Sequence, residues 1–449
     1  MITDIQGHAL SGANREAARH YEAAVSAFHL YRGDPVAALD AALASAPRFA
    51  MAALLKAHLF AMATEPAATS AARDLRDAVT GWTLNERERA HLAALDAVLR
   101  GEWSAAATIL ARHNIEHPFD IVALQVGHLI DFYRGNARSL RDRIARVLPQ
   151  WTAAMPGHGL LLGMLAFGME ECGQYAQAED LGRRAVEAQP LDCWAHHAVA
   201  HVMEMQARHA DGLGWMLARE PNWSGADNFF RVHNWWHRAL CHVELGQTGD
   251  ALALYDGPIR AARSAVALDM VDASAMLWRL HLAGADPGDR WQELAGAWDA
   301  HADGGSYAFN DWHAAMAWLG AGRDRDVAAL AQALRSAGEA TEAARWASGV
   351  GAELVDGFAA YWRGDHDTAI DRLWRGRNIA NAFGGSHAQR DIIDLTLLQA
   401  ALRGGHGRVA EALAHERLVI RPHSGMNRAF LTRAIGASAA HADAAAVAA

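Results

Sequence analysis

Five times along the chain a glycine-containing break is followed at once by an alanine-rich amphipathic stretch. These are RGDPVAALDAALASAP (32–47), RGEWSAAATILARHNIEHP (100–118), CGQYAQAEDLGRRAVEAQP (172–190), LGQTGDALALYD (245–256) and RGDHDTAIDRL (363–373). The pattern encodes a helix, a tight turn through positive φ and a second helix returning alongside the first. One such hairpin cannot bury its own apolar face, so neighbouring hairpins have to stack. Val, Ile, Thr and Tyr form no alternating runs of the kind a strand needs. An all-α chain is therefore expected.

The clearest break, GQYAQAEDLGRRAVEAQP, carries the tetratricopeptide signature. Gly173 stands at the turn, Ala178 and Ala185 stand where two helices cross closely, and Pro190 stops the second helix. Gly101 and Gly135 recur at the repeat's own period of about 34 residues. The expected architecture is a set of tetratricopeptide-type helical hairpins forming a right-handed superhelix, an α-solenoid, whose first helices line the concave wall. No linker divides it, so one repeat domain is expected over 1–435, with a low-complexity, frayed tail over 436–449. The segments 217–234 and 301–311 are longer than a plain repeat needs and are read as loops rimming a site.

Composition limits the function. With 449 residues, 52% of them hydrophobic, the chain has ample material for a core. A net charge of −10 argues against nucleic acid or an anionic membrane as partner. No apolar run is long enough to span a bilayer, and the first residues lack an apolar signal core. Three cysteines (Cys172, Cys193, Cys241) match no disulfide or thiolate–zinc framework, so the reducing cytoplasm is the expected location.

Against this background HHAVAHVMEM (196–205) and HNWWHRALCHVEL (233–245) stand out. Residues at i, i+4 and i+7 share one helical stripe, so His197, His201 and Glu204 point the same way. His237, Cys241 and Glu244 repeat that spacing, and His233 extends the stripe by a turn. FNDWHAAMAWLGAGR (309–323) echoes the second stretch, with Asp311 and His313 on it and Trp312 in the place of Trp236. The sharp reading is a pocket in which His197, His201, Glu204, His237 and Asp272 do acid–base chemistry. His197, His201 and Glu204 can alternatively hold a divalent metal with a position left open. The absence of Glu directly after the first His removes the HExxH protease mechanism. His233, Trp236, Asp269, Arg279, Asp311, His313, Arg390 and Asp391 are candidate ligand-binding groups around it.

The plainer readings stand beside these. Helix histidines often only hydrogen-bond across a groove, and tryptophans fill solenoid interfaces. Asp269 and Asp272, at i, i+3 on VALDMVDASAMLWRL (266–280), need partners such as Arg279 or a groove histidine. In GGSHAQRDIIDL (384–395) Ser386 is read as an N-cap, and Arg390 either grips a carboxylate or phosphate or pairs with Asp391. Three functions follow: recognition of a small molecule or short peptide, an enzyme in the same pocket, or a protein–protein adaptor. Oligomeric state and cofactor are left open.

The stretches AFGMEECGQYAQAE, WAHHAVAHVMEM, HNWWHRAL, LDMVDASAMLWRL, FNDWHAAMAWLGA and GGSHAQRD, in this order from NREAA (14–18) onward, resemble the tetratricopeptide repeat protein 38 family. The resemblance spans nearly the whole chain and implies a single-chain α-helical repeat fold. It implies a site among the His, Asp and Arg residues above, and no particular reaction. The doubled histidine at His196 departs from the pattern and points about 100° away from His197.

Overall fold

The computed structural model describes residues 2–448, with side chains through 438, as a succession of antiparallel helical hairpins. Among the described residues the extended pairings amount to isolated bridges, Thr3 with Ala9 and Arg32 with Asn228. The all-α expectation and its hairpin repeat hold. In the repeat read most clearly from sequence, helices His158–Glu171 and Tyr175–Ala188 pack against each other, with Gly173 at φ +75° and Ala178 and Ala185 fully buried.

The helices divide into two compact units. The first comprises Met1–Val199, Arg219–Asn234 and Ala340–Ala343. Its core is aliphatic and aromatic: Tyr21, Leu39, Phe49, Leu95, Leu110 and Phe167 are each at most 1% exposed. Residues 340–343 bond back onto this unit. Glu102 caps the helix Trp103–Glu116 without a side-chain bond, so the N–H of Ser104 and its hydroxyl are left for the Glu342 carboxylate, at 2.7 and 2.6 Å. Ala343 adds a backbone bond to the Gly101 carbonyl at 3.0 Å.

The second unit comprises Ala200–Ala218, Trp235–Glu339 and Ala344–Ala449. Its core is built on indoles. Trp278 and Trp312 pack on Phe358 with ring centroids 4.8 and 5.2 Å away. The Trp278 indole N–H donates to the Thr396 hydroxyl and that of Trp298 to Ser274, both at 3.0 Å, so burial leaves neither donor unmade. Gly320 is required here, because a Cβ would sit 2.2 Å from the Trp291 ring.

The loops expected to rim a site are shorter than the sequence suggested. The helix His209–Trp223 runs through Pro221, and the next helix starts at Arg231. The carbonyls at the end of that helix are taken by side chains: Arg32 donates to Asn222 O (3.3 Å) and Asn228 to Trp223 O (2.8 Å). These bonds satisfy two of the acceptors that a helix end leaves without an intrahelical partner. Trp223 is fully buried, and buried Tyr307 donates its hydroxyl to the Phe383 carbonyl at 2.8 Å. Both are packing residues. Of the stretch expected to fray, 436–449, residues as far as 448 lie in the helix Gly425–Ala448, while residue 449 and the side chains from 439 on lie outside the described residues.

Candidate ligand site

Asp391 is the hub of the second unit's polar chemistry. Its helix, His387–Arg403, begins with a capping box: Ser386 Oγ accepts from Gln389 N at 3.2 Å, and Gln389 Oε1 accepts from Ser386 N at 3.0 Å. From the second turn Asp391 receives Arg417 in bidentate fashion (2.8 and 3.1 Å), Arg421 (3.3 Å) and the Arg279 guanidinium (3.7 Å). Burial pushes this carboxyl up, but Arg417, Arg421 and Arg279 outweigh it and hold it well below the usual carboxylate range.

Arg279 reaches this hub from the helix Ala267–Leu282. It donates to the Ala388 carbonyl at 2.6 Å, and its guanidinium stands 5.9 Å from the Trp236 ring. Burial lowers its proton affinity, opposed by Asp391 and Glu204. The buried Nε atoms of Arg279 and Arg421 have no hydrogen-bond acceptor, a costly state for a charged group.

Two cavities border the hub. The smaller, about 300 Å³, is lined by Arg390, Asp391, Arg417, Arg421 and Asn427 among others. The larger, about 630 Å³, has Arg279, Glu204 and Glu244 on its polar side and Leu240, Leu282 and Phe430 on its apolar side. Glu244 has His209 Nε2 at 3.4 Å and the Arg421 guanidinium at 3.8 Å, without a hydrogen bond to His209. Glu204 lies 3.3 Å from His237 Nδ1, and the His201 ring is 4.4 Å from that of His237. Burial raises the Glu204 carboxyl, and Arg421 and Arg279 moderate the rise.

The residues singled out in the sequence take the following places. Glu204 and Arg279 line the larger cavity, and Arg390 and Asp391 the smaller. His201, His237 and Trp236 stand behind Glu204 and Arg279 in the same unit. In the first unit His197 Nε2 and His233 Nε2 lie 3.1 Å apart, set among Phe167, Trp194 and Phe230. Asp272 is buried and Asp269 half-buried on the helix that carries Arg279. Of the two partners considered for these aspartates, Arg279 turns to Asp391 instead, and of the two readings of Arg390 the pair with Asp391 is not formed. Consecutive helical side chains diverge by about 100°, and Arg390 turns back to the Gly384 and Gly385 carbonyls.

Asp311 and His313 are both buried. Asp311 accepts from Gly304 N at 3.1 Å, its other oxygen has no partner, and burial pushes its pKa to about 8. His313 Nδ1 donates to the Phe309 carbonyl at 2.8 Å, and burial lowers its pKa to about 3, so the ring is neutral. His196 bonds the Pro190 carbonyl at 2.9 Å, away from His197 and His233. Arg417, Arg421 and His209 went unread in the sequence. Arg417 and Arg421 repeat at i, i+4 in HERLVIRP (415–422), but a helical Arg pair ordinarily reads as a solvated face.

No family model matches the chain. Similar solved structures include the crystal structure of the APC/C hetero-tetramer Cut9–Hcn1, at 14% identity over 93% of this chain and 76% of that one, with a TM-score of 0.42. Nothing about partners or chemistry transfers at that level, and the class of protein rests on the helices themselves: an all-α helical-hairpin repeat protein. Among the described residues no helix is long and apolar enough to cross a membrane.

Proposed function

We propose that this chain, a member of the tetratricopeptide repeat protein 38 family by the stretches quoted above, binds a small molecule or short peptide carrying both charges in the larger cavity of its second unit. The observation that carries this reading is the lining of that cavity, where buried Arg279 and Glu204 with half-buried Glu244 face an apolar wall of Leu240, Leu282 and Phe430. Its volume of about 630 Å³ falls in the range of small-ligand sites, and its mix of apolar wall and few charged anchors is their usual composition. A protein–protein adaptor is a separate, third reading, and it needs no occupant in this cavity.

The test uses the full chain and a panel of free amino acids and dipeptides, read by thermal shift and calorimetry. At least one member is expected to bind, and Ala283→Trp is expected to abolish that binding. Ala283 is an exposed residue of the lining, so the change leaves folding nearly untouched. Binding that survives it removes the cavity as the site. A second reading, an enzyme, is favoured by Glu204 with its raised pKa beside His237, a proton donor–acceptor pair at the cavity wall. Dipeptides bound but recovered uncleaved by mass spectrometry would remove hydrolysis of that class.

A further inference from the structure

The first unit contains a polar cluster that the reading above leaves unused. Asp120 is the N-cap of the helix Ile121–Tyr133 and is fully buried. Its Oδ2 meets three nitrogens: Arg87 Nε at 2.8 Å, His91 Nε2 at 3.0 Å and His113 Nε2 at 2.9 Å. Its Oδ1 is also engaged, by Arg87 Nη2 at 3.0 Å and Ala123 N at 3.3 Å. A carboxylate oxygen offers two lone pairs, so three N–H donors crowd Oδ2. One cation in place of the two imidazole protons would leave it with two partners, the cation and Arg87.

The ligand atoms suit such a cation. His91 Nε2, His113 Nε2 and Asp120 Oδ2 all lie within 4.8 Å of one another. Metal–nitrogen and metal–oxygen bonds of about 2.0–2.2 Å put neighbouring ligand atoms roughly 3–3.5 Å apart in a tetrahedral shell, close to the two N···O separations here. The supporting contacts are of the kind that orient metal ligands. Arg87 fixes Asp120 and is itself anchored to Asp4 at 2.7 Å. His58 Nε2 lies 3.4 Å from His91 Nδ1, so proton shifts across both rings can free His91 Nε2 as a ligand.

We propose that His91, His113 and Asp120 form a binding site for a zinc-class divalent cation, with three protein ligands and a fourth position for water or another donor. The three come from helix Glu86–Leu99, helix Trp103–Glu116 and the cap of the next helix, so the bound ion would tie consecutive hairpins together. This proposal is independent of the cavity in the second unit.

The test titrates metal-stripped full-length protein with Zn²⁺ and Co²⁺ by calorimetry, with Tm followed in parallel. The expected result is stoichiometric binding with a rise in Tm. His113→Gln should lose it, and His58→Phe should weaken it about tenfold, as second-layer changes do. Failure of the wild-type protein to bind overturns the proposal, as does a His113→Gln variant that binds unchanged. Should His113→Gln not fold, X-ray absorption on the zinc-loaded wild type decides: two imidazoles with oxygen ligands support the site, and a shell of imidazoles alone overturns it. His201→Gln serves as control, and loss of the ion there with retention in His113→Gln also overturns it.

Discussion

Each unit gathers cationic side chains around an aspartate, fully buried Asp120 in the first and half-buried Asp391 in the second, and the two balance that charge differently. Asp120 spends its charge on a single arginine and two imidazoles, all buried. Asp391 gathers three guanidinium groups and has a cavity at its side. Where imidazoles crowd an anion, the natural addition is a cation replacing their protons. Where guanidinium groups outnumber the carboxylate they surround, with unpartnered nitrogens beside empty space, the natural addition is a ligand carrying its own charge. The same residue type at the hub therefore points to opposite chemistry, and the cationic partners decide it.

The largest test of this contrast is Arg87→Met. It leaves Asp120 and Asp4 buried without their guanidinium, and removing one partner of a buried pair costs about 3–5 kcal/mol, measured by urea denaturation. Asp391→Asn should cost less, about 1–3 kcal/mol, because water and anions can reach the arginines through the cavity. Equal losses in the two variants would erase the distinction between the two hubs.

Acid should weaken both hubs. Both carboxyls are held well below their unfolded values despite burial, by Arg87 and His91 at Asp120 and by the three arginines at Asp391. Their contribution is thus complete above the unfolded pKa of about 4 and is lost as pH falls below it. Asp311 behaves oppositely. Its folded pKa of about 8 means that the native state keeps a proton the unfolded chain has released, so stability declines as pH rises from about 4 to about 8. Asp311→Asn, which imitates the protonated form, should gain on wild type steadily across that window. A stability difference that does not change with pH would show Asp311 to be ionised in the fold. The smallest effect expected is Ser386→Ala, about 1 kcal/mol from the cap of the helix carrying Asp391. A ligand affinity that falls with it would tie the cap to the cavity.

The hairpins were legible because their signals are local: Gly173 at the turn, Ala178 and Ala185 at the crossing. The Ser386 cap was legible for the same reason. The Arg417–Asp391 pair was not, since nothing in HERLVIRP says which carboxylate it will meet. The first-unit cluster is instructive in another way. His113, His117 and Asp120 have the same i, i+4, i+7 spacing that drew attention to His197, His201 and Glu204. Pro118 ends the stripe, however, because the helix stops at Glu116. The structure recovers His113 and Asp120 across the break, replaces His117 with His91 from the preceding helix, and does so through tertiary packing that no periodicity encodes.

The Glu342 cap on Ser104 has a consequence for synthesis. Its acceptor lies 238 residues downstream of the helix it completes. At the ordinary pace of about 5–20 residues per second, the ribosome delivers it some 10–50 seconds later. Until then the nascent first unit has an open helix end beside Gly101, a window in which a chaperone could recognise the unfinished protein.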